Sequence, residues 1–252
     1  MGLTRGPGPL RAFSALTVAL WAVPLWLLTR RGSPSARRME RRFFDRITRG
    51  FGLEVIVEGE PLKPAMFVTN HISWADIPVL AAALDADFVA KSDIERWPVI
   101  GPLARRYGPI FIAREHRSGS HSQAHLIRAR LHAGRSVILC PEGTTSDGTS
   151  ILPFRTSLFA AADAVDVVQP VVIRYLATDG SALSPERQRA VAWIGDDELV
   201  TGAARVSRER TLVRLTFLEP LRASCFSDRK SLAEAVRTSM LGAYAAAPKR
   251  PR

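Results

Sequence analysis

A histidine and an aspartate lie five positions apart in the segment TNHISWADIPVL, residues 69–80. A carboxylate on one imidazole nitrogen fixes the tautomer of the ring and leaves the other nitrogen free to accept a proton. His71 and Asp76 are therefore candidates for a general base and its orienting carboxylate. The alternative is structural, because Ser73 followed three residues later by Asp76 fits the pattern that caps the start of a helix. These twelve residues by themselves leave both interpretations open.

Polar loops follow apolar runs at three places in the chain. The first loop contains His71 and Asp76, the second contains Arg114 with Glu115, and the third covers residues 142–147. In an α/β sheet, ligands bind at the carboxyl ends of the strands. We therefore expect the three loops to converge on one site.

Apolar runs and turn signals predict strands that alternate with helices, which favours an α/β fold with helices flanking a sheet. Residues 167–175 are nearly all apolar, as expected for a strand buried on both faces. The chain has no G-x-S-x-G elbow, no Walker P-loop and no glycine-rich dinucleotide turn, which argues against a covalent serine hydrolase and against nucleotide chemistry. Strands are predicted at residues 53–59, 65–70, 87–91, 108–114, 136–143, 167–175, 190–195 and 211–220, and helices at residues 118–133 and 228–246.

Positive charge is concentrated near the two ends of the 252-residue chain, whose formal net charge is +11. Residues 30–49 contain eight arginines and only two acidic residues, and residues 249–252 read KRPR. Residues 50–248 are neutral overall, which argues against a nucleic-acid-binding surface. The two cysteines provide neither a disulfide framework nor a zinc-binding spacing.

An uncharged apolar stretch, AFSALTVALWAVPLWLL at residues 12–28, precedes the arginine-rich segment. As a helix it would be about 25 Å long, slightly shorter than the hydrocarbon core of a bilayer at about 30 Å. Trp21 and Trp26 are typical of the membrane interface, and the arginines are typical of the cytoplasmic side. We predict that residues 1–49 form a membrane-associating helical segment with a basic collar, followed by a globular domain at residues 50–252. A cleaved signal peptide and a buried core helix are the alternatives.

Four blocks of sequence, in order, resemble the motifs of the glycerolipid acyltransferase family, the lysophosphatidic acid acyltransferases. NHISWAD resembles the H-x4-D motif, GPIFIAR the second motif, PEGTTS the third and VVQPVVI the fourth. The resemblance extends over residues 50–220. It implies a glycerolphosphate-acyltransferase-like sheet flanked by helices, with residues 50–252 as the acyltransferase domain. It also implies transfer of a fatty acyl group from acyl-CoA or acyl carrier protein to the hydroxyl of a lysolipid.

This resemblance assigns roles to individual residues. His71 would take the proton of the acceptor hydroxyl, and Asp76 would orient the imidazole. Arg114 would bind the anionic headgroup through its planar donor fork. No metal ion and no cofactor beyond the acyl donor is expected, because a thioester is already activated. The expected partners are membrane lipids, the lysolipid acceptor and the acyl donor, with no nucleic acid. The other implied substrate-binding residues are Gly108, Phe111, Glu142, Gly143 and Thr144.

The third motif departs from that of the phosphatidic-acid-forming enzymes, which usually read E-G-T-R. This sequence has Thr145 at the last position, so one expected phosphate contact is missing unless Arg155 or Arg114 replaces it. TTSDG, LPFR and AWIGDDEL resemble the ornithine-lipid branch of the family. We expect acylation of 1-acyl-sn-glycerol 3-phosphate to phosphatidic acid at the cytoplasmic face of a bacterial inner membrane, with lyso-ornithine lipid as the alternative acceptor. A lipid hydrolase and a non-catalytic, membrane-tethered lipid-binding protein are weaker alternatives.

Overall fold

The computed structural model describes residues 23–97, 100–112 and 120–246, together with residues 10, 12, 13, 17, 20 and 21. Among these residues, no helix combines the length and the apolar character that crossing a membrane requires.

The strands form one sheet in the order β1-β7-β6-β2-β5-β3-β4, with β8 paired to β6. Neighbouring strands are parallel, except that β6 runs antiparallel to β7 and to β8. The predicted α/β fold with a sheet flanked by helices is confirmed. The strands are β1 (Leu53–Glu58), β2 (Met66–Thr69), β3 (Asp87–Lys91), β4 (Ile110–Ile112), β5 (Val137–Leu139), β6 (Val167–Leu176), β7 (Thr211–Phe217) and β8 (Leu221–Arg222).

Helices cover both faces of this sheet, and short 3-10 helices occupy Ser92–Arg96, Thr156–Ala164 and Ala223–Cys225. The α-helices are α1 (Val23–Leu27), α2 (Pro34–Gly50), α3 (Asp76–Ala83), α4 (Ile100–Tyr107), α5 (Ser120–His132), α6 (Pro185–Val191), α7 (Leu199–Ser207) and α8 (Arg229–Ala245).

The core consists of two layers, one on each face of the sheet. Strand β2 contributes to both, because successive side chains point to opposite faces. Phe67 packs in the layer under α2, α3, α6 and α7, whereas Met66 and Val68 pack in the layer under α5 and α8. Strand β6 is likewise buried on both faces, as its sequence predicts. Each fully buried large apolar side chain contributes about 1.5–3 kcal/mol, so the central strands are held firmly on both sides.

The predicted strand at residues 190–195 is wrong. Val191 is the last residue of α6, and the chain after it is a loop. A short apolar run has the same composition in a strand and at the end of a packed helix, so periodicity does not separate the two. Here Val191 and Ala192 bury against the helix-covered face of the sheet. The main-chain N–H of Trp193 donates to the carbonyl of Ile72 at 2.9 Å instead of pairing in the sheet.

Helix α2 carries the arginine-rich segment and packs on the domain. Phe44 packs against the core layer that contains α3, and Ala36 and Thr48 are buried. Arg37 pairs with Asp85 at 3.0 Å, at the loop that leads into β3. The helix ends at Gly50, one residue past the predicted boundary between residues 49 and 50. The division of the chain into two units stays a prediction.

Candidate active site

Strands β2 and β5 are parallel neighbours, so the loops that follow them leave the same edge of the sheet side by side. The main-chain N–H of His71 donates to Oε1 of Glu142 at 2.9 Å, and the N–H of Ser146 donates to the carbonyl of His71 at 2.8 Å. Of the three predicted loops, the first and third therefore meet as expected. Arg114 and Glu115 of the second loop lie outside the described residues.

His71 and Asp76 form a hydrogen-bonded pair. Nδ1 of His71 lies 2.7 Å from Oδ2 of Asp76, whose side chain is fully buried, whereas 17% of the His71 side chain is exposed. The same Oδ2 accepts main-chain N–H groups from Ile72 at 2.7 Å and Ser73 at 2.9 Å. Because Nδ1 faces the carboxylate, Nε2 is the nitrogen left to exchange a proton with a bound molecule.

The capping pattern at Ser73 is present only in part. Helix α3 begins at Asp76, and the residue before it, Ala75, makes no side-chain capping bond. The carboxylate of Asp76 does reach back to the N–H of Ser73, which is the second half of a capping box. The structural and chemical interpretations of this segment are thus compatible, since one carboxylate orders the loop and contacts the imidazole.

Strand β6 fixes the pair from the other side. The hydroxyl of Tyr175 donates to Oδ1 of Asp76 at 2.6 Å, and the amide side chain of Asn70 binds both main-chain groups of Ile173. Sequence reasoning missed Tyr175, because it is one more apolar-looking position of a buried strand and is distant from Asp76 in sequence. No spacing rule relates residues on different strands, so the sequence carries no signal for this contact.

Glu142 supports the loop that carries His71. Its two carboxyl oxygens accept from His71 N at 2.9 Å and from Leu152 N at 3.2 Å, and only 4% of the residue is exposed. Burial raises the pKa of Glu142 to about 7, against the opposing effect of the two N–H donors. The carboxyl group therefore acts on the main chain of the loop. Its predicted contact with substrate stays a prediction.

The rest of the third motif forms a tight turn. Gly143 has a φ of 72°, and a Cβ there would collide with the guanidinium of Arg155. Thr144 is exposed beside it. The hydroxyl of Thr145 donates to the carbonyl of Trp193, which binds the turn to the loop after α6. Thr145 thus links two loops, and the guanidinium of Arg155 lies against the turn at Gly143.

The second motif is placed differently. Gly108 precedes β4 and so lies at the amino edge of the parallel strands, opposite the edge where His71 follows β2. The guanidinium of Arg31 covers it, and its φ of 87° favours glycine. Phe111 lies within β4, paired in register with Ala90. The predicted roles of Gly108, Phe111 and Arg114 in substrate binding stay predictions.

Among the described residues, no group of three or more histidine, cysteine, aspartate or glutamate side chains lies close enough together to hold a metal ion.

Comparison with known proteins identifies the family of this chain. The model of the acyltransferase family matches residues 52–174. A lyso-ornithine lipid O-acyltransferase of Brucella abortus is 37% identical over an alignment 234 residues long, which covers 88% of this chain and 87% of that protein. The chain belongs to the acyltransferase family. The resemblance stated from the four sequence motifs is confirmed, and the chain is an acyltransferase.

Two further acyltransferases are similar to this chain. A 1-acyl-sn-glycerol-3-phosphate acyltransferase of Neisseria meningitidis is 31% identical over 195 residues, which cover 75% of this chain and 73% of that protein. The crystal structure of the 1-acyl-sn-glycerophosphate acyltransferase PlsC from Thermotoga maritima superimposes with a TM-score of 0.65. It is 20% identical and covers 94% of this chain and 96% of that one, so it supports the fold of this acyltransferase.

Proposed function

We propose that this acyltransferase moves a fatty acyl group from the thioester of acyl-CoA or acyl carrier protein to the free hydroxyl of a lysolipid, with lyso-ornithine lipid as the acceptor. The observation that carries the proposal is the 2.7 Å contact between the partly exposed His71 and the buried Asp76 at the carboxyl end of β2. A single base at a sheet edge suits a reaction whose carbonyl is already activated.

The proposed reaction needs no enzyme nucleophile. Nε2 of His71 takes the proton of the acceptor hydroxyl. At the same time, the oxygen of that hydroxyl forms a bond to the thioester carbonyl carbon. Asp76 stabilises the imidazolium that results. The tetrahedral intermediate then collapses, the carbon–sulfur bond breaks, and the proton passes from His71 to the leaving thiolate. The products are the acylated lipid and the free thiol, and the base is regenerated.

Position 145 supports the choice of acceptor. A phosphate-binding acyltransferase gains from an arginine at this point of the third motif, because a guanidinium binds a phosphate with two hydrogen bonds. Here Thr145 instead donates its hydroxyl to Trp193. The relative named as a lyso-ornithine lipid O-acyltransferase is also more similar than the one named for 1-acyl-sn-glycerol 3-phosphate. Lysophosphatidic acid remains the second candidate acceptor, favoured by the nearby cation of Arg155.

Membrane attachment through the N-terminal segment is part of the proposal. Exposed apolar side chains occur at Trp21, Leu25, Leu27 and Leu28, while Trp26 is buried and donates its indole N–H to Glu40 at 2.9 Å. The outward face of α2 carries a set of exposed arginines. Together these surfaces suit shallow association with an anionic leaflet, here assigned to the cytoplasmic face of the inner membrane. The basic face consists of Arg38, Arg41, Arg42, Arg46 and Arg49.

Steady-state kinetics with defined acceptors test the proposal. Purified wild-type protein is incubated with labelled acyl-CoA or acyl carrier protein and with either lyso-ornithine lipid or 1-acyl-sn-glycerol 3-phosphate, and the product is identified. We expect a higher kcat/KM for lyso-ornithine lipid. A higher value for the phosphate acceptor would establish the second candidate, and release of free fatty acid from both lipids without transfer would overturn the transferase assignment.

Two substitutions at position 145 separate charge from the loop contact. Thr145→Val keeps the shape of the side chain and removes only the hydrogen bond to Trp193. The kcat/KM for each of the two acceptors should therefore fall by a similar factor, about 3- to 10-fold. Thr145→Arg adds a cation, which repels the ammonium of ornithine but attracts a phosphate. The ratio of kcat/KM for the phosphate acceptor to kcat/KM for lyso-ornithine lipid should therefore be higher in Thr145→Arg than in Thr145→Val. Equal effects of the two variants on both acceptors would show that position 145 does not select the headgroup.

A further inference from the structure

The carboxylate of Asp76 is held by donors from two separate parts of the chain. Oδ2 accepts from the ring of His71 and from two main-chain N–H groups of the loop, as described above. Oδ1 accepts from the hydroxyl of Tyr175 at 2.6 Å, across the sheet on β6. Asp76 is fully buried and Tyr175 is 4% exposed, so water does not compete for either group.

We propose that Tyr175 is a positioning residue of the acyl transfer, which acts by anchoring Oδ1 of Asp76 so that Oδ2 stays directed at His71. The inference deepens the proposed function, since it rests on His71 as the base. Tyr175 lies one residue beyond the segment that the family model matches. Its contact with Asp76 is nevertheless as direct as that of His71.

The direction of the Tyr175 hydrogen bond is fixed by electrostatics. Burial, and next the negative charge of Asp76, raise the pKa of Tyr175 well above its usual value of 10. The phenol therefore stays protonated and donates to Asp76 throughout the pH range in which the enzyme works. Glu142 on the loop after β5 and Tyr244 on α8 are the other titratable groups whose interactions extend to Asp76.

Rigidity of β6 makes this anchor effective. The strand is paired to β2 on one side and to β7 on the other, and Ile173, two residues before Tyr175, is fastened to Asn70. Asn70, which precedes His71, and Asp76, which contacts its ring, are thus both hydrogen-bonded to β6. If the phenol hydroxyl were removed, Oδ1 of Asp76 would be buried and would lose this hydrogen-bond donor. More of the negative charge of the carboxylate would then act on the imidazole of His71.

Tyr175→Phe tests the inference, because phenylalanine keeps the ring in the core and removes only the hydroxyl. We expect kcat to fall about 10-fold with KM within about twofold. The acid limb of the kcat/KM profile should move to higher pH, since a carboxylate that no longer shares its charge with a phenol stabilises the imidazolium more. Tyr107→Phe is the matched control, because Tyr107 ends α4 and packs its ring against Phe44, next to Gly108 at the sheet edge opposite the pair. Its kcat and pH profile should match those of the wild type.

A double substitution distinguishes action through Asp76 from a general effect on the core. If Tyr175 acts through the carboxylate, Tyr175→Phe should lower the single-turnover rate less than about twofold when Asp76→Asn is already present. An equal loss in both backgrounds, or an unchanged kcat and pH profile in Tyr175→Phe, would overturn the positioning role while leaving an active wild type and the proposed function intact. An inactive wild type would instead remove the proposed function.

Folding of each variant is checked by thermal unfolding. If Tyr175→Phe does not fold, Tyr175→Met, which fills much of the space without a hydroxyl, carries the same kinetic test. Failure of both to fold, while Tyr107→Phe folds, would assign Tyr175 to the stability of the core and overturn the proposal.

Discussion

The side-chain amide of Asn70 binds both main-chain groups of Ile173. Nδ2 donates to the carbonyl of Ile173 at 3.0 Å, and Oδ1 accepts from the N–H of Ile173 at 2.9 Å. The last main-chain pair between β2 and β6 is Thr69 with Val171. Asn70 therefore continues the ladder with its side chain at the point where the main chain leaves the sheet. His71, the proposed base, follows directly, so the loop that carries it starts from a fixed point.

Removing that amide should weaken both the fold and the site. Asn70→Ala leaves the buried N–H and C=O of Ile173 without their partners, and we expect the free energy of unfolding to fall by about 2–4 kcal/mol. Urea denaturation measures this loss. Thr149→Ala, an exposed threonine of the third-motif loop, is the control and should change stability by less than about 0.5 kcal/mol. A urea midpoint unchanged in Asn70→Ala would contradict this account of the β2 end.

Substitution of the proposed base should reduce acyl transfer more than substitution of the carboxylate that orients it. His71→Ala removes the proton acceptor and should reduce acyl transfer to background, with the thermal unfolding midpoint close to that of the wild type because the side chain is partly exposed. Asp76→Asn keeps the shape but alters the tautomer and charge of the imidazole, and should lower kcat about 10²- to 10⁴-fold. Near wild-type turnover in His71→Ala would rule out this mechanism.

Glu142 should make stability depend on pH. Its folded pKa, about 7, lies above the ordinary value of 4.5, so between these values the folded state binds more protons than the unfolded state. The contribution of this group is therefore fully present below pH 4.5 and is lost as pH rises through 7, a change of about 3 kcal/mol.

The matched variant for this test is Glu142→Gln, which keeps the shape but cannot ionise. The difference in unfolding free energy between wild type and variant, measured by urea denaturation at several pH values, should shift in favour of the variant from pH 5 to pH 8. A difference that stays constant over this range would show that Glu142 does not titrate there.

The basic face of α2 should contribute to membrane binding through charge. Replacing Arg38, Arg41 and Arg42 with glutamine should weaken flotation with vesicles that contain anionic lipid, by about 1 kcal/mol for each arginine that lies near the surface. Binding by the wild type should also fall as salt is added, since exposed charges are screened. The charge-matched control replaces Arg208, Arg222 and Arg229, which are exposed elsewhere. Equal flotation of the two triple variants would argue against a specific role for α2.

The sequence alone determined the fold class and the identity of the candidate pair. Alternating apolar runs gave an α/β sheet, and the strands at residues 53–58, 66–69 and 167–176 lie where hydrophobicity predicts them. His71 and Asp76 were found because they are close in sequence, so their spacing limits how far apart they can lie in the fold. The motif order likewise led to the acyltransferase family. These are all properties of local chemistry or of residue order.

Only the tertiary structure decided which distant groups hold the pair in place. Tyr175 reaches Asp76, Glu142 reaches the loop of His71, and Ile173 reaches Asn70. These contacts form because β6, β2 and β5 are neighbours in the sheet, an order that does not follow the order of the chain. The residues at 190–195 show the same limit, since their apolar run fits a strand or a helix end equally well and packing selects the latter. The physical reason is that hydrogen bonds between strands, and the burial that strengthens them, depend on the register of segments far apart in sequence, which no local pattern specifies.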